Sequence, residues 1–314
     1  MRQLIRNFLP FASLLALVIL LSILVPESFL SLDNLLNVLR RSSVYGIMAV
    51  GMTLIIISGG IDLSVGSLMA LAGMCGTLGM LSFGETGPGA WLGLLLGMVV
   101  GMAGGFLNGF LITKIRIQPF IVTLGSMSLF RGIALVMNDG QPYNVSAFKY
   151  LGEGAIVGIP ISILIFAFVA LVFFFILRYT SFGRYTYAIG SNRNAAFYAG
   201  IPVNRNLIGI YTLSGLLIGL SSMIAVSRTV SAQPTAGNGA ELDVIAAVVI
   251  GGASLSGGRG TVLGTLIGTL LISFLRNGCT LLGISTNAQL IVIGVIIVVA
   301  VALDQLARER VKEA

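Results

Sequence analysis

The sequence predicts an all-α integral membrane protein, a polytopic helical bundle of about ten transmembrane helices with two glycine-rich broken segments. Three observations carry this. Of 314 residues, 56% are hydrophobic and only 9% are charged, against about a quarter charged in soluble domains. Apolar windows recur along the whole chain, and at roughly 20 residues per span its length leaves room for about eight to ten. The 41 glycines fall in regular rows and in paired breaks, an arrangement suited to helices packed closely in lipid. The apolar content excludes disorder. The lack of any histidine removes the commonest general base and the commonest metal ligand.

The windows lie at 9–25, 44–58, 63–82, 90–113, 119–137, 158–177, 207–226, 241–254, 260–277 and 288–303. The first follows Arg2 and Arg6 as a signal peptide would. Ser22-Ile-Leu-Val-Pro26 offers no small-x-small cleavage site, however, so an uncleaved first helix is expected. Windows 44–58 and 241–254 are short for a bilayer, and a glycine pair breaks the chain at each. Such breaks are tolerated at membrane depth only where protein or a watery cavity satisfies the freed backbone. The longest connections, 26–43, 138–157 and 178–206, are too short for a soluble domain. Residues 1–314 are therefore read as a single transmembrane domain.

With the N-terminus inside, 12 of the 18 Lys and Arg residues fall in cytoplasmic segments. That distribution favours ten spans with both termini in the cytoplasm. It also accounts for the net charge of +7 without nucleic acid, since no basic patch lies on a water-soluble segment. Cys75 and Cys279 sit in or beside apolar stretches and read as small buried hydrophobes.

Gly97, Gly101, Gly105 and Gly109 recur every four residues in the fourth window. Gly260, Gly264 and Gly268 do so in the ninth, and Gly215 with Gly219 in the seventh. This spacing marks helix faces that admit a neighbouring backbone. A second pattern is the pair Gly59-Gly-Ile-Asp-Leu-Ser-Val-Gly66 and Gly251-Gly-Ala-Ser-Leu-Ser-Gly-Gly258, both of the form G-G-x-[D/S]-L-S-x-G. Broken segments repeated in two halves of a chain point to a transport pathway between repeats.

Asp62 lies in the first break. It reads as a cap for the helix that follows, as a pathway residue, or as a proton relay. Glu241 and Asp243 read as helix-start charges. Arg131 lies within a span and needs a partner or a snorkelling route, with Asp139 the nearest acid considered. No G-x-x-x-x-G-K-[S/T] phosphate loop occurs, no G-x-S-x-G nucleophile elbow, and no metal-ligand spacing. Uphill transport would therefore draw on a coupled ion or on a separate ATPase.

In the 178–206 connection, Asn192-Arg-Asn-Ala-Ala-Phe-Tyr-Ala199 precedes Gly200. Asn192 can cap a short helix and Gly200 can end it. The helix lies on the inner face or docks a cytoplasmic partner.

Ala49-Val-Gly-Met-Thr-Leu-Ile-Ile-Ile-Ser-Gly-Gly-Ile-Asp-Leu-Ser-Val-Gly-Ser67 resembles the first signature of bacterial sugar ABC-transporter permeases of the ribose-type branch, within the branched-chain amino acid/sugar permease superfamily. The resemblance continues through Gln118–Gly125, Arg131-Gly132, Gly183–Gly190, Ala195-Ala196, Gly200-Ile201, Ser231–Ala247 and Gly251–Gly258, nearly the whole chain. Asn238 and Ala240 depart from the family's threonine and aromatic.

The resemblance implies a permease subunit of an ATP-driven importer in the bacterial inner membrane. It implies a second copy of the chain, a cytoplasmic ABC ATPase, and a periplasmic or lipid-anchored sugar-binding protein that delivers a monosaccharide, ribose first. No cofactor would be bound by this chain, because ATP and Mg would sit on the ATPase. The coupling residues would be Gly190, Asn192, Ala195, Ala196, Gly200 and Ile201. An uncharged solute needs small polar contacts, and Asp62, Ser64, Ser67, Asn108, Thr123, Ser254 and Ser256 are the pathway candidates. The rival expectation is an ion-coupled secondary transporter with Asp62 as its coupling site.

Overall fold

The computed structural model describes residues 2–312. Its helices are α1 (Arg2–Leu24), α2 (Pro26–Phe29), α3 (Leu32–Ile57), α4 (Val65–Phe83), α5 (Gly87–Phe110), α6 (Pro119–Val136), α7 (Tyr150–Glu153), α8 (Ile161–Tyr179), α9 (Ser181–Ser191), α10 (Arg193–Tyr198), α11 (Val203–Thr229), α12 (Ala240–Ile250), α13 (Val262–Leu281) and α14 (Thr286–Lys312). A π-helical turn, Leu111–Ile115, extends α5. The only strands among the described residues are β1 (Tyr143–Asn144), β2 (Ala155–Ile156), β3 (Ile159–Pro160) and β4 (Ser231–Ala232); β1 pairs with β4 and β2 with β3, both antiparallel.

Among the described residues, seven helices are long and apolar enough to cross a membrane: α3, α4, the extended α5, α6, α8, α11 and α13. The apolar stretches Pro10–Leu24 and Thr286–Val299 are shorter, and α12 has only 11 residues. Each of the ten windows thus lies on a helix, with bounds that differ in physically telling ways. Window 44–58 is the second half of the 26-residue α3, so the expected 26–43 connection is mostly helical. Ser31 starts α3 by accepting a hydrogen bond from the Asn34 N–H, and Asp33 favours the first turn. Asn37, Arg40 and Arg41 interrupt the hydropathy there without interrupting the helix.

From Gly46 to Ile57 every residue of α3 is buried, as expected for a helix apolar on all sides. Around it pack α11, α13, α8 and α12, and α4 joins this core through α11 and α5. The glycine rows act as packing faces. A methyl group added at Gly101 or Gly105 would strike the α11 backbone at Gly215 or Tyr211, and one added at Gly264 or Gly268 would strike α12 at Gly251 or Ala247. Backbones approach this closely only where side chains are missing.

The 178–206 connection is also mostly helical. Thr180 caps α9 by accepting from the Gly183 N–H, and Gly183, Thr186 and Ile189 form its buried stripe. Between α11 and α12 the chain re-enters the bundle. Ala232 lies near Gly73 of α4, and Gly237 packs on Gly66 of the same helix. Seven residues of α4 correspond to a descent of roughly 10 Å, so α12 starts at depth as a half-helix. Asp243 in its first turn pairs with Arg276 of α13 at 2.7 Å, and both are buried. Arg276 therefore lies inside the bundle.

Candidate functional site

Two constructions stand out. The first is a buried polar chain around Asp62. Its carboxylate Oδ1 accepts from the Ser64 N–H at 2.8 Å and from Ser64 Oγ at 2.6 Å. Asn108 of α5 donates from Nδ2 to Ser64 Oγ at 2.9 Å, and Ser126 of α6 donates to Asn108 Oδ1. Ser67 donates to the Ser64 carbonyl and Thr123 to the Pro119 carbonyl, each at 2.9 Å. Asp62 folds the α3–α4 link into a cap-like turn, and Ser64 relays it to two neighbouring helices.

Asp62, Ser64, Ser67, Asn108 and Thr123 are at most 1% exposed. Every bond in such a network counts, since an orphaned buried polar group costs about 1–3 kcal/mol. Sequence reasoning missed Ser126, although its spacing of three from Thr123 places both on one face of α6. It also missed Tyr211, whose hydroxyl donates to the Ile61 carbonyl at 3.2 Å. Nothing in the local sequence of α11 signals that contact.

The second construction joins the two repeated motifs. The Gly258 N–H donates to the Ile57 carbonyl at 2.8 Å, so the turn of the second motif rests on the end of α3, where the first motif begins. The end of α9 is wedged between them. A methyl group on Gly190 would fall on the Ile57 carbonyl oxygen, and one on Gly257 would meet the Gly190 carbonyl at 2.6 Å and Gly59 Cα at 3.0 Å. Tyr187 of α9 donates its hydroxyl to the Gly260 carbonyl at 2.8 Å, and burial pushes its phenol above the usual value. Ser254 is buried in the second motif's turn, whereas Ser256 is exposed.

From α9 the chain passes straight into α10. Asn192 Oδ1 accepts from the Ala195 N–H at 3.0 Å, and Gly200, at φ 80°, ends the helix with its N–H on the Phe197 carbonyl. The Ile201 N–H bonds the Ala196 carbonyl. Ala196 is buried and Ala195 exposed. Phe197 and Tyr198 are 67% and 86% exposed. A large aromatic pair left out of the fold beside Arg193 is a surface with contact to offer.

Arg131 is neither snorkelled nor paired with Asp139. Its guanidinium donates to the carbonyls of Pro234 and Ala236 at 2.6 and 2.8 Å. It therefore holds the re-entrant segment that leads to α12.

A multi-pass helical bundle with two broken segments in contact, and a short helix pair attached to that junction, is the kind of arrangement on which membrane transporters are built. The family described as branched-chain amino acid transport system / permease component matches residues 34–301, and the chain belongs to it. It is 49% identical over 300 residues to the ribose import permease protein RbsC of Bacillus subtilis, covering 94% of this chain and 92% of that protein. It is 44% identical to RbsC of Escherichia coli K12, at 93% and 92% coverage. The D-allose transport system permease protein AlsC of the same bacterium is 37% identical, over 90% of this chain and 86% of its own length. No solved structure matches significantly.

Proposed function

We propose that this chain is the transmembrane subunit of an ATP-driven importer that carries a monosaccharide, ribose first, across the bacterial inner membrane by alternating access. Family membership and the ribose and allose transport named for its relatives support the substrate class. The observation that carries the mechanism is the wedging of the α9 end between the two glycine motifs.

A cytoplasmic ATPase gripping Phe197 and Tyr198 on α10 would move α9. Through Gly190 and Tyr187 that motion would reach the links α3–α4 and α12–α13 together. Gly190, Asn192, Ala195, Ala196, Gly200 and Ile201 are accordingly proposed as the coupling set. Asn192 and Gly200 set the ends of α10, and Ala196 and Ile201 seat it. Two copies of the chain would frame the pathway, a sugar-binding protein would deliver the solute, and ATP with Mg would be held by the ATPase.

For the buried pathway candidates the proposed role is gating. Asp62, Ser64, Ser67, Asn108 and Thr123 would tie the α3–α4 link to α5 and α6 in this conformation and meet the solute only when those helices part. Ser254 and Ser256 would move with the second motif. The capped geometry of Asp62 favours this role over ion coupling, since its carboxylate already serves Ser64. Ala195→Glu places charge on the exposed face of α10 and should release the ATPase from membranes co-expressing both chains. Unchanged co-purification would count against this docking surface.

A further inference from the structure

A cleft of about 160 Å³ opens between α4, α11 and the re-entrant segment, at the end of the bundle opposite α9 and α10. It is smaller than the ~300–1,000 Å³ of pockets for drug-sized ligands. One wall is small and apolar, with Ala70, Gly73 and Ala225; the other carries Arg228, Ser231 and Gln233.

Several observations separate this wall from ordinary packing. Among the described residues Arg228 forms no ion pair, and its Nε is buried without a hydrogen-bond partner. Its backbone is pinned by Gly152, where a methyl group would strike the Arg228 main chain. The exposed amide of Gln233 likewise bonds to nothing else among the described residues.

The backbone that presents these groups is held hard. Val230, a β-branched residue, adopts φ 49° and ψ 29°, a conformation such residues avoid and one that clusters at functional sites. It turns the chain from α11 into β4, which is paired to β1. Two residues further on, Arg131 fastens the carbonyls of Pro234 and Ala236. Gln233 is thus held between two anchors with its amide unused.

We propose that this cleft is a transit subsite for a neutral polyhydroxylated solute, with Arg228 and Gln233 bonding its hydroxyls and the Ala70–Gly73–Ala225 wall facing its C–H surface. A guanidinium and an amide together offer paired donors and an acceptor, which suit adjacent hydroxyls. A phosphate-bearing ligand would call for a second cation in the cleft; Arg41 lies close enough to Arg228 to interact with it but does not line the cleft, whose only cation is Arg228. The subsite rests on the permease reading above and deepens it by placing the solute on the path before the gate.

The test uses the full chain in two measurements with ribose as the probe. In proteoliposomes holding the chain, its ATPase and the sugar-binding protein, Gln233→Ala and Arg228→Gln should each lower ribose uptake about three- to tenfold, the loss expected for one or two hydrogen bonds. In micelles with the permease alone, saturation-transfer NMR should detect ribose on the wild-type chain. The signal should weaken in both variants and vanish in Ala225→Leu, which fills the cleft.

Gln233 is exposed, so Gln233→Ala keeps the test open if Arg228→Gln fails to fold. Wild-type uptake with unchanged Gln233→Ala uptake and NMR signal would overturn the subsite and leave the importer reading intact. Absence of wild-type uptake would fail the importer reading itself. A defect in Arg228→Gln seen only with anionic lipid, and not in Gln233→Ala, would assign Arg228 to a lipid headgroup and overturn the subsite.

Discussion

Gly190→Ala is the smallest change that probes the junction of the two motifs. The added methyl would land on the Ile57 carbonyl oxygen and within 2.7 Å of the Gly258 nitrogen. Those two atoms form the hydrogen bond that joins the motifs. All the obstructing atoms are backbone, so no side chain can swing away. Overpacking costs about 1–3 kcal/mol, and the lost bond adds about 0.5–1.5 kcal/mol. Alanine's helix preference over glycine returns about 0.5–1 kcal/mol, so the expected net destabilisation is roughly 0.5–4 kcal/mol. Gly125→Ala is the control, because Gly125 lies within α6 with nothing within 4 Å of an added methyl. There the helix should gain about 0.5–1 kcal/mol. Thermal unfolding of the purified protein in detergent reads both. Gly190→Ala should melt clearly below wild type and Gly125→Ala at or above it. Equal midpoints for the two variants would refute the wedge.

Asp243→Ala leaves Arg276 buried and uncompensated and should cost about 3–5 kcal/mol, with Asp243→Ala/Arg276→Met recovering much of the loss; midpoints in detergent decide. Arg131→Met removes two bonds from a charged donor, each worth about 1.5–3 kcal/mol. It should speed maleimide labelling of Ala232→Cys, a buried position on the same segment, in a background lacking Cys75 and Cys279, by at least about tenfold. Glu85 accepts from the Ser146 N–H and hydroxyl and from the Ala147 N–H, and the Ser146 bonds in particular hold its carboxyl below the usual range. Its contribution to docking this segment is present above the unfolded carboxyl's pKa and lost as the pH falls through the lowered folded value. Trp91, the only tryptophan, lines the same cavity as Glu85. Its fluorescence should change on acidification, and Glu85→Gln should abolish the step.

Hydrophobicity made the helices legible and left their ends obscure. The first half of α3 escaped notice because Asn37, Arg40 and Arg41 break the apolar window, while the helix needs only a cap at Ser31 and tolerates polar residues on a partly exposed turn. The amphipathic α9 was hidden inside a connection, since a stripe of Gly183, Thr186 and Ile189 carries little hydrophobic signal. The glycine rows were readable because their period of four matches a helix face. Asp62, Ser64 and Asn108 were legible as polar residues in an apolar setting, but not their linkage, which depends on where α5 and α6 pack. Arg131 was seen to need a partner. Its partners are backbone carbonyls about a hundred residues away, which leave no mark in side-chain identity.

The importer reading is tested most directly by ribose accumulation in proteoliposomes that hold this chain, its ATPase and a ribose-loaded binding protein. Accumulation should require ATP inside the vesicle, stop with a hydrolysis-dead ATPase, and persist when an ionophore collapses ion gradients. Uptake that survives the dead ATPase and disappears with the ionophore would contradict the account and return Asp62 to the role of coupling site.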